Sequence, residues 1–162
     1  MLKEFYAFDM LELNLLDYQD QLRVKREDGK TYLFDPIRKT WLLLLPEEMV
    51  RQLFLQYLII EKTYPKSLIK VEFGLQVHHQ LQKRSDLLVY NRASQPFLLV
   101  ECKAPEVKIN EKALWQIANY NSTFQAAYLV LTNGVSTYCC KMDYVQQKHE
   151  MVAVIPDFPI EN

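Results

Sequence analysis

Two short segments of the chain, Leu87–Tyr90 and Phe97–Val100, are apolar at every successive position. Side chains on a strand alternate between faces, so such segments need apolar cover on both sides, as at the centre of a sheet packed between helices. Asn91 to Pro96, rich in turn formers, joins them. A chain of 162 residues can supply that cover, since a domain of this size buries roughly 70% of the surface its unfolded form exposes.

The flanking segments read as the remaining elements. Gln21 to Phe34 holds two extended stretches around Asp28-Gly29, a hairpin signal. Pro46 with Glu47 and Glu48 suits a helix start, because proline fits the first turn and carboxylates favour the positive end of the helix dipole. Leu53, Phe54, Tyr57, Leu58 and Ile60 then recur near helical spacing up to a break at Pro65. Leu68 to Val77 is β-rich, and Asn110 to Ser122 reads as a second helix capped by Asn110. Ala127 to Leu131 and Val135 to Met142 read as strands joined by Asn133-Gly134. The order predicts an α/β fold, a mixed central β-sheet flanked by helices and preceded by an N-terminal β-hairpin. We expect one domain, with 1–45 as an extension carrying the hairpin, 46–145 as the core, and 146–162 as a final strand and tail, loosely held from Pro156 onward.

Several function classes drop out. Gly29-Lys30-Thr31 copies the end of a phosphate-binding loop, but Val24 stands where its first glycine belongs and a strand follows. Cys102, Cys139 and Cys140 lack zinc-site spacing and are expected to be buried and reduced, with the adjacent Cys139 and Cys140 on opposite faces of a strand. Met1 to Leu16 carries Glu4, Asp9 and Glu12 where a signal peptide needs an apolar run, and no apolar run is long enough to span a bilayer. A cytoplasmic protein with no membrane partner is expected. Lys plus Arg number 19 against 20 Asp plus Glu, so there is no bulk attraction to a polyanion. Nucleic-acid binding needs a local patch, for which Lys83 with Arg84, and Lys103 with Lys108 and Lys112, are the candidates.

Chemistry concentrates at the ends of the two apolar segments. Arg84-Ser-Asp86 leads into the first, and Glu101-Cys-Lys103-Ala-Pro105 closes the second. Alternation puts Glu101 and Lys103 on one face and Cys102 on the other. Charges closing a buried strand are costly unless something compensates them. A divalent cation shared by Asp86 and Glu101 would do so, and carboxylates with waters suit Mg²⁺. The competing reading is an ordinary Glu101–Lys103 ion pair with Asp86 capping a turn.

Asp86, a strand turn, and then Glu101-Cys102-Lys103 resemble the D…(D/E)-x-K signature of PD-(D/E)XK nucleases, with Ser85 where a proline usually precedes the aspartate. Over about residues 46 to 142, Lys66-Ser-Leu-Ile-Lys-Val-Glu, Lys83-Arg-Ser-Asp-Leu-Leu-Val-Tyr, Leu99-Val-Glu-Cys-Lys-Ala-Pro and Leu131-Thr-Asn-Gly resemble the N-terminal nuclease domain of type I restriction enzyme R subunits. The resemblance implies a restriction-endonuclease-like fold and a Mg²⁺-dependent endodeoxyribonuclease, with Mn²⁺ able to substitute. Asp86 and Glu101 would bind the metal together with the backbone carbonyl of Cys102. Lys103 would orient or deprotonate the attacking water, or stabilise charge on the phosphate. Glu48, or its neighbour Glu47, would be the acid that the first helix adds to the site.

Gln116 and Tyr120, one helical turn apart, resemble a Q-x-x-x-Y pair that lines the site or the nucleic-acid path. Trp115 is expected in the core, and His78 and His79 at the surface. An R subunit couples its nuclease to an ATP-driven motor, and this chain has no P-loop. The expectation is therefore a free-standing domain acting on DNA, or a partner of motor or other restriction-modification subunits. Cutting both strands needs two sites, which a homodimer would provide. The alternative is a nucleic-acid-binding or assembly module that keeps the fold without cleaving.

Overall fold

The computed structural model describes residues 11–77, 80–122 and 124–160, the side chains of residues 72–85, 119 and 120 excepted. The expected hairpin forms from β1 (Val24–Glu27) and β2 (Lys30–Asp35). Its turn residues Asp28 and Gly29 take φ values of 50° and 72°, the left-handed pair whose twist matches that of the flanking strands. A further strand, β3 (Thr40–Leu43), pairs with β2 and makes a three-stranded sheet of what the sequence showed as a hairpin. Asp35 Oδ1 builds the intervening turn by accepting from the N–H groups of Ile37 and Arg38, at 2.8 and 2.9 Å.

Helix α1 (Pro46–Ile60) starts at the proline, as its first turn predicts. It ends before Pro65, because Thr63 at φ 54° reverses the chain and the Tyr64 N–H returns to the Leu58 carbonyl at 2.9 Å. Six strands follow in one sheet, in spatial order β4 (Ile69–Val77), β5 (Gln80–Tyr90), β6 (Pro96–Cys102), β7 (Tyr128–Thr132), β8 (Thr137–Asp143) and β9 (Lys148–Val152). Neighbours are antiparallel except β6 and β7. Those two run parallel because helix α2 (Glu111–Tyr120) crosses between them. Asn110 caps α2, its side chain accepting from the Ala113 N–H at 2.9 Å.

The doubly apolar segments are covered on both faces. Leu87, Val89, Leu98 and Val100 pack with Phe54 and Leu58 of α1. Leu88 and Leu99 pack with Leu114 and Ile117 of α2. The result is the expected mixed sheet between helices, preceded by a small antiparallel sheet. Cys139 lies in the α1-side core and Cys140 in the α2-side core, and all three cysteines are buried and free.

Two regions depart from the sequence expectation. Strand β5 begins at Gln80, so Asp86 lies within it and not at its start. The tail is anchored as far as Phe158, whose ring meets those of Tyr64 and Phe97 at 5.4 and 6.1 Å, while the Tyr64 hydroxyl donates to the Pro156 carbonyl at 2.8 Å. Aromatic contacts of this kind hold a chain end that composition alone marks as loose. His78 and His79 lie outside the described residues. No helix among the described residues is long and apolar enough to cross a membrane.

Candidate active site

The site forms where the β5–β6 ladder stops. The last pair of that ladder is Leu87 with Val100, and Asp86 and Glu101 are the next residues of their two strands. There the Cys102 N–H donates to Asp86 Oδ2 at 2.6 Å. Asp86 Oδ1 accepts from Arg51 of α1, at 2.9 Å from Nε and 2.5 Å from Nη2.

Arg51 is the hub of a wider network. Its Nη1 donates to Glu48, and its Nη2 lies 3.5 Å from Glu47. Glu48 also accepts from Arg38 at 3.2 Å and from Gln52 at 3.0 Å. Asp35 of β2 accepts from the same two partners, at 2.6 and 3.0 Å. Asp35, Glu48, Arg51, Gln52 and Asp86 are all buried, so a continuous polar chain links the small sheet, through one face of α1, to the end of β5. Helical spacing makes the α1 part of it, because residues three and four apart share a face. Burial would lower the Arg51 pKa, but the charge of Asp86, and then that of Glu48, outweighs it and raises it.

Glu101 sits differently. Among the described residues its Oε1 accepts only from the Lys103 ammonium, at 3.1 Å, and Lys103 is the more open partner, with side-chain exposure of 41% against 18%. Burial first, and then the charge of Asp86, pushes the Glu101 carboxyl up to about 7, against the pull of Lys103. Burial alone would pull the Lys103 ammonium down, but Glu101, and after it Glu47 and Asp86, outweighs burial and raises it. The Lys103 backbone is fixed by its N–H donating to the Thr132 carbonyl at 2.8 Å. Between the two charges, Cys102 turns into the α1-side core, as strand alternation requires.

The fold thus brings Asp86, Glu101 and Lys103 together. The oxygens of Glu48 are taken by Arg51, Arg38 and Gln52, whereas Glu47, the rival acid, acts electrostatically on both Glu101 and Lys103. Gln116 is exposed on α2, and the side chains of Tyr120, Lys83 and Arg84 lie outside the described ones. Lys108, in the loop after Lys103, and Lys112, in the first turn of α2, are exposed, and neither forms an ion pair among the described residues. Trp115 lies half-buried at the edge of the α2-side core, its ring 3.7 Å from that of His149. Sequence reasoning missed the Arg51 hub, although Glu47 and Glu48 stand four and three residues before it on one helix.

Carboxylate and carbonyl oxygens are the donor type that a hard divalent cation takes. Asp86 and Glu101 lie where the ladder ends, and burial first, then the charge of Asp86, disfavours the ionised form of Glu101. Among the described residues no group of three His, Cys, Asp or Glu side chains could hold a metal. Two carboxylates and a backbone carbonyl suit Mg²⁺, which keeps several of its waters.

Residues 46–156 match the sequence family described as the type I restriction enzyme R protein N terminus. No curated protein matches the chain. Among solved structures, a fragment described as the HsdR subunit of a type I restriction enzyme from Vibrio vulnificus YJ016 is similar at a TM-score of 0.49 and 17% identity over 70% of this chain. This chain spans 24% of that one.

Proposed function

Because the chain belongs to the type I restriction enzyme R protein N-terminal family, we propose that it is a divalent-cation-dependent endodeoxyribonuclease acting through Asp86, Glu101 and Lys103. The observation that carries the reading is the gathering of these three residues where the β5–β6 ladder ends, with the charge of Asp86 acting on Glu101 and Lys103 3.1 Å from Glu101. Asp86, Glu101 and the Cys102 carbonyl would hold Mg²⁺, or Mn²⁺ in its place. Once bound, the ion supplies Lewis acidity toward a phosphate oxygen and a polarised water.

The chain's own residues do the rest. Arg51 and the Cys102 N–H fix the Asp86 carboxylate before substrate arrives, which removes the cost of orienting it. Lys103 keeps its proton beside Glu101 and sets a positive charge against the negative charge that builds on the phosphate as water adds and the ester oxygen leaves. DNA is the substrate in this reading. Motor or other restriction-modification subunits are the partner class, in keeping with a family described as the N terminus of a type I restriction enzyme R protein. A homodimer would supply the second site for a second strand.

One observation favours the alternative of a non-cleaving binding or assembly module. Both Asp86 oxygens already accept N–H donors within the fold. Cleavage of plasmid and oligonucleotide DNA with Mg²⁺, Mn²⁺ or EDTA, run beside a binding assay, separates the two. The nuclease reading expects cleavage with either cation and none with EDTA. Binding without cleavage under every condition would give the site to the alternative.

A further inference from the structure

The outward face of the N-terminal sheet carries a second set of groups that the nuclease reading does not use. The register pairs Lys25 with Tyr32, Phe34 with Trp41, and Tyr32 with Leu43, so Arg23, Lys25, Tyr32, Phe34, Trp41 and Leu43 share one face. The other face carries Leu33 and Asp35, both buried, with Asp35 bonded to Gln52 of α1. The three aromatic residues belong to neither apolar core. The segment also lies wholly outside residues 46–156, which the family covers.

The geometry is that of rings with cations laid over them. The Arg23 guanidinium lies 4.2 Å from the Phe34 ring centroid and 5.6 Å from that of Trp41. The Lys25 ammonium lies 5.2 Å from Trp41 and 5.5 Å from Tyr32. Phe34 and Trp41 meet edge to face at 5.3 Å, and Leu43 beside them is 43% exposed. Arg23 meets no carboxylate among the described residues. Among the same residues Lys25 pairs only with the exposed Glu27, at 2.7 Å, a pair weak enough for a phosphate to replace. Between residues 21 and 45 there are six Lys and Arg against three Asp and Glu, in a chain whose net charge is −1. The positive excess is therefore local to this sheet.

We propose that this face binds a single-stranded nucleic acid, with bases stacking on Trp41, Phe34 and Tyr32 and the backbone phosphates meeting Arg23 and Lys25. Unpaired bases offer flat faces to aromatic rings, and stacking of this kind tolerates any sequence. A duplex keeps those faces inside its own stack. An exposed cation is held over a ring only weakly, so a base can displace it and leave the cation free for a phosphate. The three-stranded sheet then acts as a holding surface for an unpaired strand, separate from the Asp86 site.

The test is binding of a short labelled pyrimidine strand to the full chain in EDTA, in an Asp86→Asn background, followed by anisotropy and by quenching of Trp41 fluorescence with Trp115 changed to Phe. Saturable binding with quenching is expected, weaker for a duplex of the same length. Trp41→Ala should weaken it roughly tenfold to a hundredfold. Because loss of Trp41 could unsettle the sheet, Arg23→Ala with Lys25→Ala is the second variant. Both side chains lie on the outer face, and their loss should flatten the slope of log affinity against log salt by about 1.4 while the thermal melt stays unchanged. Strand affinity indifferent to all three substitutions would overturn the proposal, as would tighter binding of the duplex. Absence of any strand binding would overturn it too, and leave the face to a protein partner. Since the site is disabled and the metal removed, strand binding by a chain that never cleaves refutes the nuclease reading alone.

Discussion

Asp86 and Glu101 stand just beyond the last pair of one strand ladder, yet they live in different settings. Asp86 receives N–H donors on both oxygens, two from Arg51 and one from Cys102, and is tied through Arg51 to Glu48 and so to Asp35. Glu101 is less deep and, among the described residues, meets one half-exposed lysine, and burial with the charge of Asp86 pushes it up to about 7. The Asp86 side is finished by folding, in that both of its oxygens receive N–H donors from within the protein. On the Glu101 side burial and the charge of Asp86 disfavour the ionised form, a condition that a bound cation would relieve. Perturbed groups of this kind mark functional positions more often than structural ones.

Lys103→Ala should give the largest effect and the clearest separation between the two sides. If Lys103 stabilises charge in the transition state, single-turnover cleavage should fall by roughly a hundredfold to ten-thousandfold. The melting midpoint should scarcely move, because a partly exposed ion pair contributes only about 0–1 kcal/mol. Cleavage at the wild-type rate would remove the nuclease assignment at its most specific residue. Arg51→Leu probes the opposite side. It strands the carboxylates of Glu48 and Asp86 in the interior, which costs about 3–5 kcal/mol, or a midpoint lowered by roughly 10 °C for a chain of this size. Arg51→Lys should recover only part of that loss, since a point charge cannot serve Asp86 and Glu48 as a planar fork does. An unchanged midpoint in Arg51→Leu would mean that the network does not hold α1 against β5, and the contrast between the two carboxylates would fail.

How far each feature could be read in advance follows from the range over which it is encoded. Leu87–Tyr90, Phe97–Val100, the Pro46 helix start and the Asn110 cap are local patterns, and each folds as its pattern implies. Strand β3 was not legible, because Trp41 to Leu45 runs apolar without alternation and its turn is built by a side chain, Asp35. Glu101 and Lys103 could be placed on one face by strand period alone. The Arg51 hub could not be completed that way, since helical spacing offers Glu47 and Glu48 as partners while Asp86 stands 35 residues away. The anchored tail was hidden for the same reason: Phe158 finds Tyr64 and Phe97 only in the finished fold.

Glu101→Gln sharpens the contrast by removing the charge that folding leaves uncompensated. In the folded chain Glu101 is raised to about 7 from its ordinary value of 4.5, so the folded state holds this proton more tightly than the unfolded state does. That stabilisation is complete below the unfolded value and is lost as pH rises through about 7. Above it, the ionised Glu101 of the wild type sits in a setting that disfavours it. Glutamine cannot ionise and can still accept from Lys103, so the variant should match the wild type in stability near pH 4. In EDTA above pH 7 it should exceed the wild type by on the order of 2 kcal/mol, a shift of this size being worth about 3 kcal/mol before allowance for the solvent that reaches the side chain. Mg²⁺ should narrow the difference by stabilising only the wild type, because a ligand that binds the folded state alone raises its stability. Thermal melts of both proteins across this pH range, with EDTA and with Mg²⁺, measure all three expectations. A stability difference that stays flat with pH would show that Glu101 is compensated within the fold as fully as Asp86, and the distinction between the two carboxylates would be lost.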